Sequence, residues 1–247
     1  LKELVGGALS FYAAAAVAKT GGVHIFVAED RDAAAYLLND FYNLLDEKQV
    51  YFFPSSYKRS AAYGAEDAQG VVQRTTAMNA VRGFTKGYLV VCTYPEALAE
   101  RVVDAATLQR DTIAVKLGDK ISIAVLEDAL ADANFTRVDF VYEPGQYSVR
   151  GGIVDVFSYS ESKPYRIDFF GDEVDSIRRF NISSQLSADK LDRVEIVPNL
   201  NAGEAPRVSF VQFAGSSATC WFYDADYVLR RVNDLRRKVL ADMEEPG

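Results

Sequence analysis

Residues 137–157 read RVDFVYEPGQYSVRGGIVDVF, and residues 164–180 continue the pattern as PYRIDFFGDEVDSIRRF. Short runs of β-branched and aromatic residues alternate here with glycine-containing turns, which is typical of a series of antiparallel strands. Pro144-Gly145 has the residues of a type II turn, and Gly171-Asp172 has those of a hairpin turn. The sequence therefore predicts strands over residues 138–142, 147–149, 153–157, 165–170 and 174–180.

A helical pattern over residues 121–133 precedes these strands, so this part of the chain is predicted to be an α+β unit. Residues 1–111 differ, because helical and strand-like segments alternate there at the spacing of βαβ units. Asp30 is placed to cap one helix, and Pro95 suits the first turn of another. This part predicts an α/β sheet, with strands over residues 2–5, 23–28, 50–53 and 88–93 and helices over residues 10–19, 30–45, 67–82 and after residue 94.

The change of pattern divides the chain into three segments. Residues 1–111 are predicted to form an α/β domain, and residues 112–197 an inserted, smaller α+β domain that contains the antiparallel sheet. Residues 198–247 are predicted to return to the first domain, and they include an amphipathic helical pattern over residues 227–239. Because the chain begins with Leu1 rather than Met and ends just after this helical pattern, we expect it to be a piece of a longer protein.

Composition and charge narrow the possible functions. The 247 residues carry 27 basic and 35 acidic side chains, a net charge of −8, which disfavours tight binding to a phosphate backbone. No apolar run approaches the roughly 18 residues that a membrane-spanning helix needs. Cys92 and Cys220 are far apart in a chain without a secretory signal, so we expect reduced thiols and a cytoplasmic location.

Gly6 and Gly7 lie between a predicted strand and a predicted helix, where a phosphate-binding loop would begin. Counting from Gly6, such a loop needs a second glycine, a lysine and a Ser or Thr where this chain has Phe11, Tyr12 and Ala13. The groups that would approach the phosphates and hold Mg²⁺ are therefore missing from these positions. We expect a degenerate, non-functional loop, with no nucleotide cofactor and no catalytic residues.

The chain also lacks the residues for other common catalytic sites. His24 is the only histidine and lies in a predicted strand, where a structural role is expected rather than that of a general base. One histidine and two distant cysteines cannot supply the four ligands of a zinc site, so no metal site is predicted.

Residues 137–157 and 164–178 together resemble the second domain shared by UvrB and the Mfd family of transcription-repair coupling factors. Weaker resemblance extends upstream, through residues 93–98 to the degenerate loop, and downstream to Gln185. UvrB is distinguished by a working phosphate loop and by a long, tyrosine-rich hairpin that binds DNA. This chain has neither feature: its phosphate loop is degenerate, and residues 52–64 are too short for the hairpin. The resemblance is therefore closer to the UvrB-like amino-terminal region of the Mfd family.

This resemblance implies a degenerate P-loop-type α/β domain with an inserted UvrA-binding domain. The implied function is non-catalytic: the region recruits UvrA of nucleotide excision repair to lesions where RNA polymerase has stalled. In that family the full-length parent is an ATP-dependent DNA translocase, which contacts RNA polymerase and duplex DNA through regions absent from this chain.

Carried over position by position, the family's UvrA-binding residues fall on Arg150, Arg166 and Phe170. Strand alternation places Arg166 and Phe170 on one face of a strand and the intervening apolar residues on the other. Gly151-Gly152, directly after Arg150, would permit a bulge or a close backbone approach. Without the resemblance, each arginine would be assigned to a surface ion pair, with Asp155 or Asp168 for example, and Phe170 to the core.

Two other classes of function remain open from the sequence. The first is an ATP-dependent enzyme acting on nucleic acids, which the empty phosphate loop opposes. The second is direct DNA binding in the manner of UvrB, which the acidic balance and the missing hairpin oppose. A nucleotide- or DNA-binding UvrB-like helicase fragment is thus the alternative to the UvrA-binding module.

Overall fold

The computed structural model describes residues 7–57, 67–201 and 205–244, with side chains to residue 237. It divides the chain into two compact units, one formed by residues 1–102 and 207–247 and the other by residues 103–206. The first unit is thus built from both ends of the chain, and the second is an insertion. The boundaries expected from the sequence, after residues 111 and 197, stay predictions.

The first unit is built on a four-stranded sheet of order β14-β1-β3-β2, in which every neighbouring pair is parallel. The predicted α/β architecture is therefore confirmed. Its elements are α1 (Ala8–Thr20), β1 (Gly22–Val27), α2 (Arg31–Leu44), a short 3-10 helix (Glu47–Gln49), β2 (Val50–Phe52), α3 (Ala68–Gly83), β3 (Tyr88–Thr93), α4 (Pro95–Ala99), β4 (Val102–Val103), β13 (Arg207–Val208), α7 (Phe210–Ala214), β14 (Thr219–Phe222) and α8 (Ala225–Glu244).

Local sequence signals explain several of these boundaries. The Asp30 side chain accepts a hydrogen bond from the Ala33 amide at 2.9 Å and so caps α2, as predicted. Gly21 ends α1 with a φ of 63°, and a Cβ at this position would lie only 2.8 Å from the Gly87 carbonyl oxygen. Pro95 begins α4, also as predicted.

The second unit is built on a six-stranded sheet of order β11-β10-β9-β8-β7-β6, antiparallel except for the β6–β7 pair. Its apolar face packs with helix α6 and the two-stranded β5–β12 sheet in one buried cluster that includes Leu126, Leu130, Val154 and Ile167. Its elements are α5 (Ala105–Asp111), β5 (Ile113–Lys116), α6 (Ile123–Asp132), β6 (Thr136–Arg137), β7 (Gln146–Arg150), β8 (Ile153–Val156), β9 (Tyr165–Phe170), β10 (Glu173–Phe180), β11 (Ser187–Leu191) and β12 (Arg193–Ile196).

One predicted strand is wrong. Residues 138–142 form no strand, and the strand at this edge is instead the two-residue β6. The Asp139 carbonyl accepts from two side chains, Ser148 Oγ at 2.8 Å and Arg150 Nη1 at 3.0 Å. These hydrogen bonds replace the backbone hydrogen bonds that a strand at this position would make.

The glycine pair after β7 forms a tight hairpin turn rather than a bulge, since Arg150 and Ile153 are paired on either side of it. Gly151 has a φ of 59°. The expected close backbone approach is present at Gly152, where an added Cβ would lie 3.0 Å from the Phe169 carbonyl oxygen. The register irregularities of this sheet lie in β10.

Some predictions fall outside the described residues. These are the strand over residues 2–5, Gly6 of the degenerate phosphate loop, and residues 58–64 of the segment compared with the UvrB hairpin. Among the helices of the part that is described, none combines the length and apolar character needed to cross a membrane.

Candidate protein-interaction surface

The face of the six-stranded sheet opposite its apolar core is polar, and we call it the polar face. Alternation along the strands produces it: Ile167 is fully buried in the core, whereas its neighbours Arg166 and Asp168 point the other way. The polar face comprises side chains from four adjacent strands, namely Ser148, Arg150, Asp155, Arg166, Asp168, Phe170, Ser176 and Arg178.

Asp155 lies at the centre of the polar face, on β8 between the two strands that carry the arginines. Its side chain is 2% exposed. Arg166 donates from Nε to Oδ1 at 2.7 Å and from Nη2 to Oδ2 at 2.8 Å, and Arg150 donates from Nη2 to Oδ2 at 2.5 Å. A single buried carboxylate therefore holds both guanidinium groups through charge-assisted hydrogen bonds.

Further contacts fix Arg166, whose side chain is 13% exposed. Nη2 also donates to Gln185 Oε1 at 3.0 Å, and the guanidinium carbon lies 4.3 Å from the centroid of the Phe180 ring. The pKa of Arg166 is raised above its ordinary value, chiefly by the hydrogen bonds to Asp155. The charge of Arg166 is thus permanent, and its orientation is determined by three neighbours.

Arg150 is more accessible, with 35% of its side chain exposed. Its Nη1 donates to the Asp139 carbonyl and to Ser148 Oγ, the latter at 2.8 Å, and its guanidinium carbon lies 5.1 Å from the centroid of the Phe140 ring. This arginine can meet another molecule while keeping its contacts within the chain.

Asp168 does not pair with either predicted contact arginine. It accepts from Arg178 Nη2, at 2.8 Å to Oδ2, and from Ser176 Oγ at 2.5 Å. The polar face therefore carries two ion-pair groups side by side, one centred on Asp155 and the other on Asp168.

Phe170 is 84% exposed at the end of β9, next to the Gly171-Asp172 turn. It lies about 13 Å along the strand from Arg166, at roughly 3.3 Å per residue. An exposed phenylalanine on the same strand face as a fixed arginine agrees with the resemblance, and the core assignment that Phe170 would receive without the resemblance is wrong.

The sequence did not identify Phe140 as a surface residue. Its side chain is 50% exposed, and Tyr142 nearby is exposed as well. Both lie in the segment that the sequence predicts to be a strand, one face of which would lie in the core. The structure adds the Phe140 ring to the edge of the polar face, over Arg150.

In the first unit, the phosphate-loop positions carry no phosphate-binding group. Phe11 and Tyr12 are exposed on α1, Ala13 is buried, and Ser10 Oγ is engaged with Asp40 Oδ2 at 2.5 Å. Of the two glycines of the loop, Gly7 lies within the described residues, and it precedes α1. Tyr12 therefore stands where a nucleotide would need a lysine, and Ala13 stands where it would need a metal-binding hydroxyl.

Two buried polar side chains of the first unit are structural. His24 Nδ1 accepts from Trp221 Nε1 at 3.0 Å, so its Nε2 carries the proton and donates to the Gly21 carbonyl at 2.9 Å. Arg74 donates to the carbonyls of Pro54, Ala97 and Glu100, and burial lowers its pKa to about 10. Across residues 7–57, 67–201 and 205–244, no cluster of three His, Cys, Asp or Glu side chains could hold a metal ion.

Comparison with known proteins shows what the second unit is similar to. The family model described as the UvrB interaction domain matches residues 113–201. Transcription-repair-coupling factors of Bacillus subtilis strain 168 and Escherichia coli K12 are each 27% identical over 199 residues, 80% of this chain and 17% of the relative. The protein of that name from Haemophilus influenzae is 35% identical over 101 residues, 41% of this chain and 9% of the relative.

The chain spans about one-sixth of the length of these first two relatives. The matched segment contains the whole polar face, from Ser148 to Arg178. Residues 113–201, which carry the polar face, are therefore similar to the UvrB interaction domain, and 80% of the chain is similar to transcription-repair-coupling factors.

Proposed function

We propose that this chain is a non-catalytic module that binds UvrA and thereby recruits nucleotide excision repair to lesions where RNA polymerase has stalled. The observation that carries the proposal is that an exposed Phe170 and two fixed arginines lie on one polar face, within the segment that matches the UvrB interaction domain. Large solvent-exposed aromatic rings and arginines are the residue types that dominate protein interfaces.

The two kinds of side chain make different contributions to binding. The Phe170 ring gains free energy by leaving water for an apolar pocket on the partner. Arg150 and Arg166 contribute charge and direction, because a planar guanidinium matches the geometry of a carboxylate on the partner. The surface therefore fits a partner patch that combines an apolar pocket with acidic residues.

The wider roles of the longer relatives are also proposals for this chain. We infer that its parent is an ATP-dependent DNA translocase that contacts RNA polymerase and duplex DNA through other regions. The side chains at positions 11–13 support a division of labour in which this region supplies recognition and no hydrolysis.

Isothermal titration of this chain with purified UvrA tests the proposal. We expect saturable binding that Arg150→Ala weakens by about 30-fold or more, the cost of losing one arginine anchor. Asp189→Ala is the control, because Asp189 is an exposed carboxylate of the same unit that lies outside the polar face, and it should bind like the wild type. Absence of any wild-type binding, or an Arg150→Ala variant that binds normally, would contradict the proposed function.

A further inference from the structure

Asp155 is an unusual residue for the solvent-facing side of a sheet, because its carboxylate is almost completely buried. A buried charge is costly unless it is paired and hydrogen-bonded. Here both oxygens are satisfied by three N–H groups from two arginines, on the strands to either side of β8. The position of Asp155 between β7 and β9 is what allows one carboxylate to reach both.

We infer that Asp155 is a positioning residue of the interaction surface, which holds Arg150 and Arg166 in one fixed arrangement for an acidic patch of the partner. This inference rests on the proposed function, since it assigns a role within the same surface. Asp155 itself is too buried to form the contact, so it acts through the two arginines.

Fixing the arginines before binding raises affinity, because a long side chain that is already ordered loses less conformational freedom in the complex. Each guanidinium has further tethers besides Asp155. Ser148 Oγ and the Asp139 carbonyl hold Arg150, and Gln185 and the Phe180 ring hold Arg166. These contacts define a direction for each guanidinium, whereas Asp155 couples the two directions to each other.

Charge alone predicts the opposite effect of removing Asp155, which makes the inference testable. Two arginines and one aspartate give this group a net charge of +1, and Asp155→Asn raises it to +2. If simple attraction to an acidic partner controlled affinity, the variant would bind more tightly. If Asp155 positions the arginines, the variant binds more weakly despite the added positive charge, because the amide has one acceptor oxygen and one donor NH2 in place of two acceptor oxygens and cannot accept all three N–H bonds.

Asp168→Asn is the matched control. It makes the same chemical change on the same face, because Asp168 lies two residues after Arg166 on β9. Asp168, however, pairs with Arg178 and Ser176 instead of the contact arginines. A general effect of charge on the polar face would change the affinity of both variants alike, whereas positioning affects the Asp155 variant selectively.

Affinity for UvrA, measured by titration on variants with verified melting curves and binding stoichiometry, tests the inference. We expect Asp155→Asn to weaken binding by about tenfold or more and Asp168→Asn by less than about threefold. In an Arg150→Ala/Arg166→Ala background, Asp155→Asn should cause no further loss, because its effect passes through the arginines. A purely structural role would reduce the folded fraction, and hence the stoichiometry, without this dependence on the arginines.

Wild-type or tighter binding by Asp155→Asn would overturn the inference, as would an undiminished effect in the background without the arginines. If Asp155→Asn does not fold, Ser148→Ala provides the test, since it removes a tether of Arg150, together with the hydrogen bond from Ser148 to the Asp139 carbonyl, and leaves Asp155 in place. It should weaken binding by about threefold, and unchanged binding would overturn the inference. Failure of the wild-type chain to bind UvrA would instead refute the proposed function, and this inference with it.

Discussion

Arg166 on β9 and Asp155 on β8 lie directly opposite each other and form a two-point ion pair, with Nε–Oδ1 and Nη2–Oδ2 distances of 2.7 and 2.8 Å. The same arginine belongs to the surface proposed to bind UvrA. Removing it therefore affects two properties at once, because it takes a contact from the surface and leaves a buried carboxylate with one arginine instead of two.

Arg166→Ala is accordingly expected to reduce stability as well as binding, in contrast to the simple expectation that a contact arginine can be removed without effect on folding. The free energy of unfolding should fall by about 1–3 kcal/mol, since Asp155 loses two of its hydrogen bonds. Urea denaturation followed by circular dichroism measures this change. Arg178→Ala is the control and should cost less than about 1 kcal/mol, because its partner Asp168 is more accessible to water. Equal losses in the two variants would contradict the conclusion that the buried Asp155 carboxylate depends on Arg166.

Phe170→Ala should separate binding from folding. Because Phe170 is exposed, we expect the free energy of unfolding to change by less than about 0.5 kcal/mol. Loss of an aromatic anchor should weaken UvrA binding by about 30-fold, or roughly 2 kcal/mol. Tyr36→Ala, which removes an exposed ring from α2 in the other unit, should leave affinity unchanged. Normal affinity of the Phe170→Ala variant would show that this ring does not contribute to UvrA binding.

Nucleotides should not stabilise the chain, because Phe11, Tyr12 and Ala13 offer no group for phosphate or Mg²⁺. A site filled at 100 times its dissociation constant would add about 2.7 kcal/mol and raise the melting temperature by roughly 5–10 °C. Thermal melts with and without Mg²⁺-ATP make the comparison. A clear upward shift would show that the first unit has kept a nucleotide site.

Duplex DNA should bind weakly at physiological salt, because the chain carries 35 acidic and 27 basic side chains. Fluorescence anisotropy with intact and damaged duplexes measures this affinity, with UvrA as the positive control for the damaged duplex. Submicromolar binding that distinguishes the two duplexes would support the UvrB-like alternative.

The two thiols should differ strongly in reactivity. Burial raises the pKa of Cys92 and of Cys220, but Cys92 is fully buried in β3 whereas Cys220 in β14 is half-buried. A raised pKa leaves less of the reactive thiolate at pH 8. With an aromatic disulfide reagent, we expect Cys220 to react first and Cys92 at least about 100-fold more slowly, at a rate set by opening of the first unit. Cys220→Ser should keep only the slow phase, and urea should abolish the difference.

Local patterns in the sequence determined a large part of this structure. Alternation along residues 165–170 placed Arg166, Asp168 and Phe170 on one face and Ile167 in the core, because successive side chains of any strand point to opposite sides. Turn residues marked the hairpin at Gly171, and apolar runs located β1, β2 and β3. Each of these features depends only on residues that are close together in the chain.

Pairing between distant segments was decided by the tertiary structure. β14 adds to β1 from almost two hundred residues away, and its short, half-exposed run gave no strand signal. The register of β7, β8 and β9 brings Asp155 between Arg150 and Arg166, and the side chains of β7 hold residues 138–142 out of a strand and leave Phe140 on the surface. Sequence alternation determines which face of the sheet a side chain occupies. Its partner on the neighbouring strand depends on strand register, and the register is set jointly by the packed core and the turns.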